Sequence, residues 1–178
     1  MSRILLVILL LVVLAGCTRQ PLPAPPPRPP QPRPAQGMKV TIPGGTIVIP
    51  DVSGHKLWEA SADVVSWDGD TNTARMENVV CNFVEGGKPT LSAKAPLVTA
   101  YLDQRRVLLE RGVTGRSNVE QASFTADRVE WRAADKKVYV TGNVKFTRGR
   151  SRMTGPRMVA DLALRQVRME HAQMEVVE

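Results

Sequence analysis

The sequence predicts an all-β fold, a sandwich or barrel of short antiparallel strands, and three observations predict it. From Met38 to Glu178, short apolar and β-branched runs alternate with charges, and Gly, Asn or Asp breaks them at intervals of about ten residues, the spacing of strands and tight turns. No segment sustains an apolar stripe at helical spacing. A strand–turn–strand pattern recurs four times along this region.

The elements follow in chain order. Residues 1–17 read as a signal peptide. Arg3 supplies the charged start, and Ile4 to Leu14 form an apolar run of eleven residues, too short for a free-standing membrane helix. The run ends in Leu14-Ala15-Gly16-Cys17, small residues before a cysteine, the pattern of a bacterial lipobox. In that reading the Cys17 sulfur takes a diacylglyceryl group and Cys17 becomes the first residue, a lipid anchor. Two or three acyl chains bury many methylenes at about 0.8 kcal/mol each, so such an anchor holds. An uncleaved membrane anchor is the alternative. Thr18 follows the cysteine; a residue other than Asp there is the enterobacterial signal for the outer membrane.

Residues 18–37 form a linker. Nine prolines lie between Pro21 and Pro34, interleaved with Arg28 and Arg33. Proline fixes φ and removes backbone donors, so polyproline II is expected rather than helix or sheet. Some twenty such residues reach up to roughly 60 Å. A site for a proline-reading domain is the alternative.

Residues 38–178 form the β domain. Its four copies begin Trp58-Glu59-Ala60, Leu91-Ser92-Ala93, Phe124-Thr125-Ala126 and Met153-Thr154-Gly155. An apolar residue follows five positions after each small one, at Val65, Val98, Trp131 and Ala160. A polar turn and a second apolar alternation complete each unit, the latter led by Ala74, Val107, Val138 and Val167. Within a unit the apolar phase slips. Phe124 and Ala126 are even-numbered, while Val129 and Trp131 are odd. A period-2 strand keeps both sets on one face only through an inserted residue or a sharp bend. A bend in every copy is what strands need to fold over into a sandwich.

The chain has 178 residues, enough for one domain with a core, and a formal charge of +7. A basic balance favours acidic partners: nucleic acid, anionic membrane or phosphorylated glycolipid. The N-terminal pattern puts nucleic acid last. With Cys17 lipidated, Cys81 has no disulfide partner and reads as a small core residue. Aromatic residues make up 4% of the chain, so Val, Leu, Met and Ala must fill the interior.

Two runs carry a family resemblance. Asp51-Val52-Ser53-Gly54-His55-Lys56-Leu57-Trp58-Glu59-Ala60 resembles the opening of the LptC family of lipopolysaccharide-export proteins. Phe124 to Trp131, leading into Val138-Tyr139-Val140-Thr141-Gly142-Asn143-Val144-Lys145-Phe146, resembles the repeat shared by LptC and the OstA-like domains of LptA and LptD. The resemblance covers roughly residues 40–177. It implies a slipped, open-ended β-jellyroll that holds lipopolysaccharide acyl chains between two sheets and stacks edge to edge into a periplasmic bridge. It also implies attachment to the inner membrane beside an ATP-driven extractor. The lipobox and proline stalk depart from the single transmembrane helix common in the family, and Thr18 keeps the outer membrane open.

A carrier of acyl chains needs a dry aliphatic slot, and burying each methylene is worth about 0.8 kcal/mol. The candidate lining is Trp58, Val65, Leu91, Val98, Phe124, Val129, Trp131, Val138, Val140, Val144, Phe146 and Met153; an ordinary filled core is the alternative. Lys145, Arg148, Arg150, Arg152 and Arg157 form a basic group suited to lipid A phosphates, or else a solvated hairpin tip. A final strand from about Val167 to Val177 has no Pro or Lys to blunt it, so it is open to strand addition by the next jellyroll. The segment from Met38 to Ile49 would face the transporter.

No enzyme is expected, and no cofactor or metal. The two histidines, His55 and His171, lack metal-ligand spacing, and no phosphate loop or nucleophile elbow occurs. Asp63, Asp68, Asp70 and Asp127 read as turn residues. Two readings compete with glycolipid transfer at the inner membrane. One is a structural or adhesive surface lipoprotein with a solid sandwich, and the other is an OstA-like bridge component nearer the outer membrane.

Overall fold

The computed structural model describes residues 38–176; the signal peptide, Cys17 and the linker lie outside the described residues. All regular structure described is strand. Ten strands pair antiparallel in one sheet: β1 (Lys39–Pro50), β2 (Lys56–Asp68), β3 (Thr73–Glu85), β4 (Lys88–Tyr101), β5 (Arg106–Ser117), β6 (Ala122–Arg132), β7 (Lys137–Arg148), β8 (Ser151–Asp161), β9 (Val167–Glu170) and β10 (Gln173–Val176). Each of the first eight pairs with the next, and β9 and β10 share the far side of β8.

The sheet folds because every long strand is broken near its middle. The residues left out of the ladder are Asp63, Pro96, Asp127 and Pro156 on the even strands. On the odd strands the break carries left-handed backbone: Gly44, Asn78, Arg111 with Gly112, and Gly142 with Asn143. Asn and Gly tolerate that region, and Pro lacks the amide a continuous ladder would need. Two creases are pinned by side chains: Asn78 Nδ2 donates to Asp63 Oδ2 at 3.0 Å, and Asn143 Nδ2 donates to Asp127 Oδ2 at 2.8 Å. Asp63 and Asp127 therefore mark bends inside strands, not hairpin turns. Asp68 does cap a turn, accepting from the amides of Asp70 and Thr71.

The inferred phase slip is present. In β2 the buried positions are Trp58 and Ala60, then Val65; in β6 they are Phe124 and Ala126, then Val129 and Trp131. The bend thus keeps one face inward through both halves of the strand. Layer A holds the second halves of the odd strands and the first halves of the even ones; layer B holds the rest. Phe83 in layer A meets Trp131 in layer B edge to face, with ring centroids 5.4 Å apart. Their strands are three places apart in the sheet. Neighbouring strands are about 4.8 Å apart, so this contact requires a folded sheet. The fold is a slipped, open β-jellyroll.

One expectation needs correcting. The C-terminal stretch is not a single unbroken strand, because His171 is left-handed (φ 47°) and separates β9 from β10. It occupies the crease position that Asn78 and Asn143 occupy elsewhere, so β9 lies in layer B and β10 in layer A.

Candidate lipid slot

Residues directly opposite each other on paired strands point to the same face, so the registers trace the interior. In layer B the inward row runs Ile42, Val65, Met76, Val98, Leu109, Val129, Val140, Met158, Met169. In layer A it runs Ile47, Ala60, Cys81, Ala93, Gly115, Phe124, Phe146, Met153, Met174. Each row is nine strands long, roughly 38 Å at the usual strand spacing. Layer B presents long aliphatic side chains. The first half of layer A presents a shallow trough of Ala60, Cys81, Ala93 and Gly115. Phe124 lies across the end of that trough: a Cβ on Gly115 would stand 2.3 Å from its ring.

Eleven of the twelve residues expected to line a slot, Trp58 through Phe146, are at most 2% exposed, and Met153 is partly buried against them. They form one continuous cluster. Cys81 belongs to it, and burial pushes its thiol pKa up to about 12, so it is not a reactive thiol.

Among the described residues, neither lateral end is capped. At the β1 edge the inward Val40 and Ile42 are 37% and 45% exposed, and at the β10 edge the inward Met174 is 66% exposed.

Along the hairpin tips the two layers close unevenly. On one side the turn after β8 is clamped to layer A. Ser117 Oγ donates to the Ala163 carbonyl at 2.8 Å, Arg148 donates to the carbonyls of Leu164 and Arg165, and Arg165 pairs with Glu120 at 2.9 Å. Leu164, fully buried, plugs the seam. On the other side the β1–β2 and β3–β4 tips stand away from the β6–β7 tip, leaving a cavity of about 610 Å³. Leu57, Val84, Trp131 and Leu162 line its depth; Asp51, Lys56, Glu85 and Lys136 stand at its rim. His55 is exposed there and its Nδ1 lies 3.3 Å from Asp51 Oδ2. Backbone amides of His55 and Ser53 on the Asp51 carboxylate hold its pKa below the usual value. The Trp131 Nε1–H is buried with no acceptor.

The predicted basic group is dispersed. Arg148 is spent on the carbonyls of the clamp, and Arg157 pairs with Glu170 on the outer face of layer B. Lys145 and Arg152 lie on the outer face of layer A, and Arg150 sits at the β7–β8 tip. None of the five lines the cavity.

Two inward apolar rows and a cavity between the hairpin tips are thus the features beside which the comparisons stand. The model of a family described as lipopolysaccharide-assembly, LptC-related, matches residues 4–172. The chain belongs to that family. Among solved structures it is similar to LptH of Pseudomonas aeruginosa, the LptA-homologous periplasmic component of that organism's lipopolysaccharide transport device. The TM-score is 0.57 at 13% identity, over 68% of this chain and 95% of that one. No curated protein sequence matches. The fold of this LptC-related chain is therefore shared with a protein of very different sequence.

Proposed function

We propose that the protein is a non-enzymatic lipopolysaccharide-transport bridge component, carrying the acyl chains of lipopolysaccharide or a related glycolipid between its layers. The observation that carries this reading is the pair of apolar rows that run the length of the molecule and end uncapped. A sealed sandwich would bury its end strands. Here Ile42 and Met174 offer inward side chains to whatever abuts each end. An acyl chain gains about 0.8 kcal/mol for each methylene it buries, and it needs no fixed hydrogen bonds on the way.

Entry requires the layers to part, and the alanine trough of layer A makes that separation cheap in lost contacts. The cavity between the hairpin tips is the proposed entrance. Trp131, whose indole N–H is buried without a partner among the described residues, lines the depth of that entrance.

The edge strands complete the proposal. β1 and the β9–β10 pair each leave backbone groups unpaired, so neighbouring jellyrolls would add by strand pairing. β1 would face the inner-membrane transporter, and β10 the next, LptA-like station. Cys17 would carry the lipid anchor and the proline-rich segment would set the reach from a periplasmic membrane surface, the inner membrane being favoured by family.

Val140→Glu places a carboxylate in the middle of the layer B row. Photo-crosslinking to lipopolysaccharide should fall at least about tenfold, and acylated glycolipid should no longer co-purify in detergent-free mass spectrometry. Wild-type crosslinking by this variant, or no co-purifying glycolipid with the unaltered protein, would return the domain to the solid-sandwich reading. Cys17→Ala should release the protein into high-salt washes of the membrane or mislocalise it, and normal membrane attachment would count against the lipid anchor.

A further inference from the structure

The two outer faces of the jellyroll differ in a way the slot does not use. The outer face of layer B is laced with opposite charges. Arg106 and Arg132 pair with Glu130, Arg128 with Glu110 and Arg157 with Glu170, while Arg106 and Arg132 also cover Tyr101 and Tyr139. The outer face of layer A carries Lys94, Arg116, Lys145 and Arg152, on four different strands between β4 and β8. All four are exposed, and no carboxylate pairs with any of them among the described residues. Their cross-strand neighbours are mostly hydroxyls: Thr114 opposite Lys94, Ser92 and Ser123 opposite Arg116, Thr125 and Thr154 opposite Lys145, and Thr147 opposite Arg152, with Val80 on the other side of Lys94 and Glu175 on the other side of Arg152. Two shallow depressions result, one holding Lys94 and Arg116, the other Lys145 and Arg152. Val80, about half exposed, stands on the same face beside the first.

We propose that this face docks the domain flat on an anionic phospholipid surface. Unpaired cations spread across several strands, hydroxyls between them and an exposed valine match headgroup phosphates and the interface beneath. A face on which most cations pair with carboxylates, Arg75, Lys137 and Arg168 excepted, matches them less well. Arginine and serine or threonine together suit phosphate oxygens, and each cation held near an anionic leaflet contributes a roughly fivefold increase in affinity. Lying on layer A, the domain would keep the cavity between its hairpin tips and both edge strands free, so docking and lipid passage are separable.

The described residues, 38–176, hold a continuous hydrophobic cluster of their own, so the domain folds on its own core. The test is flotation of a protein comprising residues 38–178 with vesicles of phosphatidylcholine alone or with about a third phosphatidylglycerol. The expected result is binding to the anionic vesicles only, weakened at least about tenfold by the combined Lys94→Gln, Arg116→Gln, Lys145→Gln and Arg152→Gln changes. The layer B set Arg75→Gln, Arg128→Gln, Lys137→Gln and Arg168→Gln removes the same charge and should leave binding within about twofold. Equal loss from both sets, or no preference for anionic vesicles, would overturn the proposal. Soluble phosphorylated oligosaccharide displacing the vesicles completely at micromolar concentration would also overturn it.

Discussion

At the residue scale, the creases rest on a few polar contacts that can be tested singly. Gly142 has φ +78°, and an added Cβ would stand 2.4 Å from Asp127 Oδ2 and 2.8 Å from Asp127 Cβ. Gly142→Ala should therefore cost about 1–3 kcal/mol, from backbone strain and from displacing the Asp127–Asn143 clasp. Gly149 is also left-handed but has nothing within 4 Å, so Gly149→Ala should cost only the backbone part, about 1 kcal/mol. Urea denaturation of the two variants measures the difference. Acid has a direction too. The hydrogen bond and charge of Arg132 hold the Glu130 carboxyl below its usual value. A depressed pKa adds stability that is full above the unfolded value and is lost as pH falls through the folded one. Solvent screening keeps this pair below about 1 kcal/mol. Arg132→Gln should reduce stability more at pH 7 than near pH 2, as thermal melts at the two pH values would show.

These residues also mark how far the sequence can be read. The interior positions were legible because burial imposes a period, and a slip in parity is visible in the string itself. The clasps were not. Asp63 and Asp127 look like ordinary turn carboxylates, and only the register shows them facing Asn78 and Asn143 fifteen or sixteen positions later. Arg148 looked like a phosphate ligand because nothing local ties it down. Its carbonyl partners lie on a turn brought close only by the fold.

At the scale of elements, each long strand belongs to two layers and so makes the molecule's interior twice. That explains why substitutions at a crease should affect both layers at once, whereas a change at a hairpin tip stays local. The last element is the instructive case. The β9–β10 stretch was legible as an exposed terminal strand, but its break at His171 was not, because no Gly, Pro, Asn or Asp stands between Glu170 and Gln173 to mark a turn. The break gives the two halves separate roles: β9 completes layer B and β10 alone extends layer A. Deleting residues 173–178 should therefore abolish association with the downstream jellyroll while lowering thermal stability by only a few degrees, since β10 is exposed at every position. Co-purification with that partner at wild-type levels would count against edge pairing through β10.

For the whole molecule, the decisive property is that the sheet is folded but not closed. The clamp between Ser117, Arg148 and the turn after β8 seals one stretch of the tips, and the opposite stretch stays apart. The fold follows from repeats within the string, and the family from the resemblance carried by Asp51–Ala60 and Phe124–Phe146, so both were readable in advance. Which tips meet, and which outer face gathers cations with few carboxylates, depends on contacts between distant residues and became visible only with the register.

The most direct measurement of the central claim is a photo-crosslinking scan along β6, with a photoreactive phenylalanine analogue placed at each residue from Phe124 to Trp131 in turn and lipopolysaccharide as the target. A guest lying between the layers predicts adducts at Phe124 and Ala126, then at Val129 and Trp131, with little at Thr125, Arg128 and Glu130. The reactive parity should switch from even to odd where the strand bends. Adducts without that switch, or confined to the outward-facing positions, would show that the lipid rides on the surface and does not enter the fold.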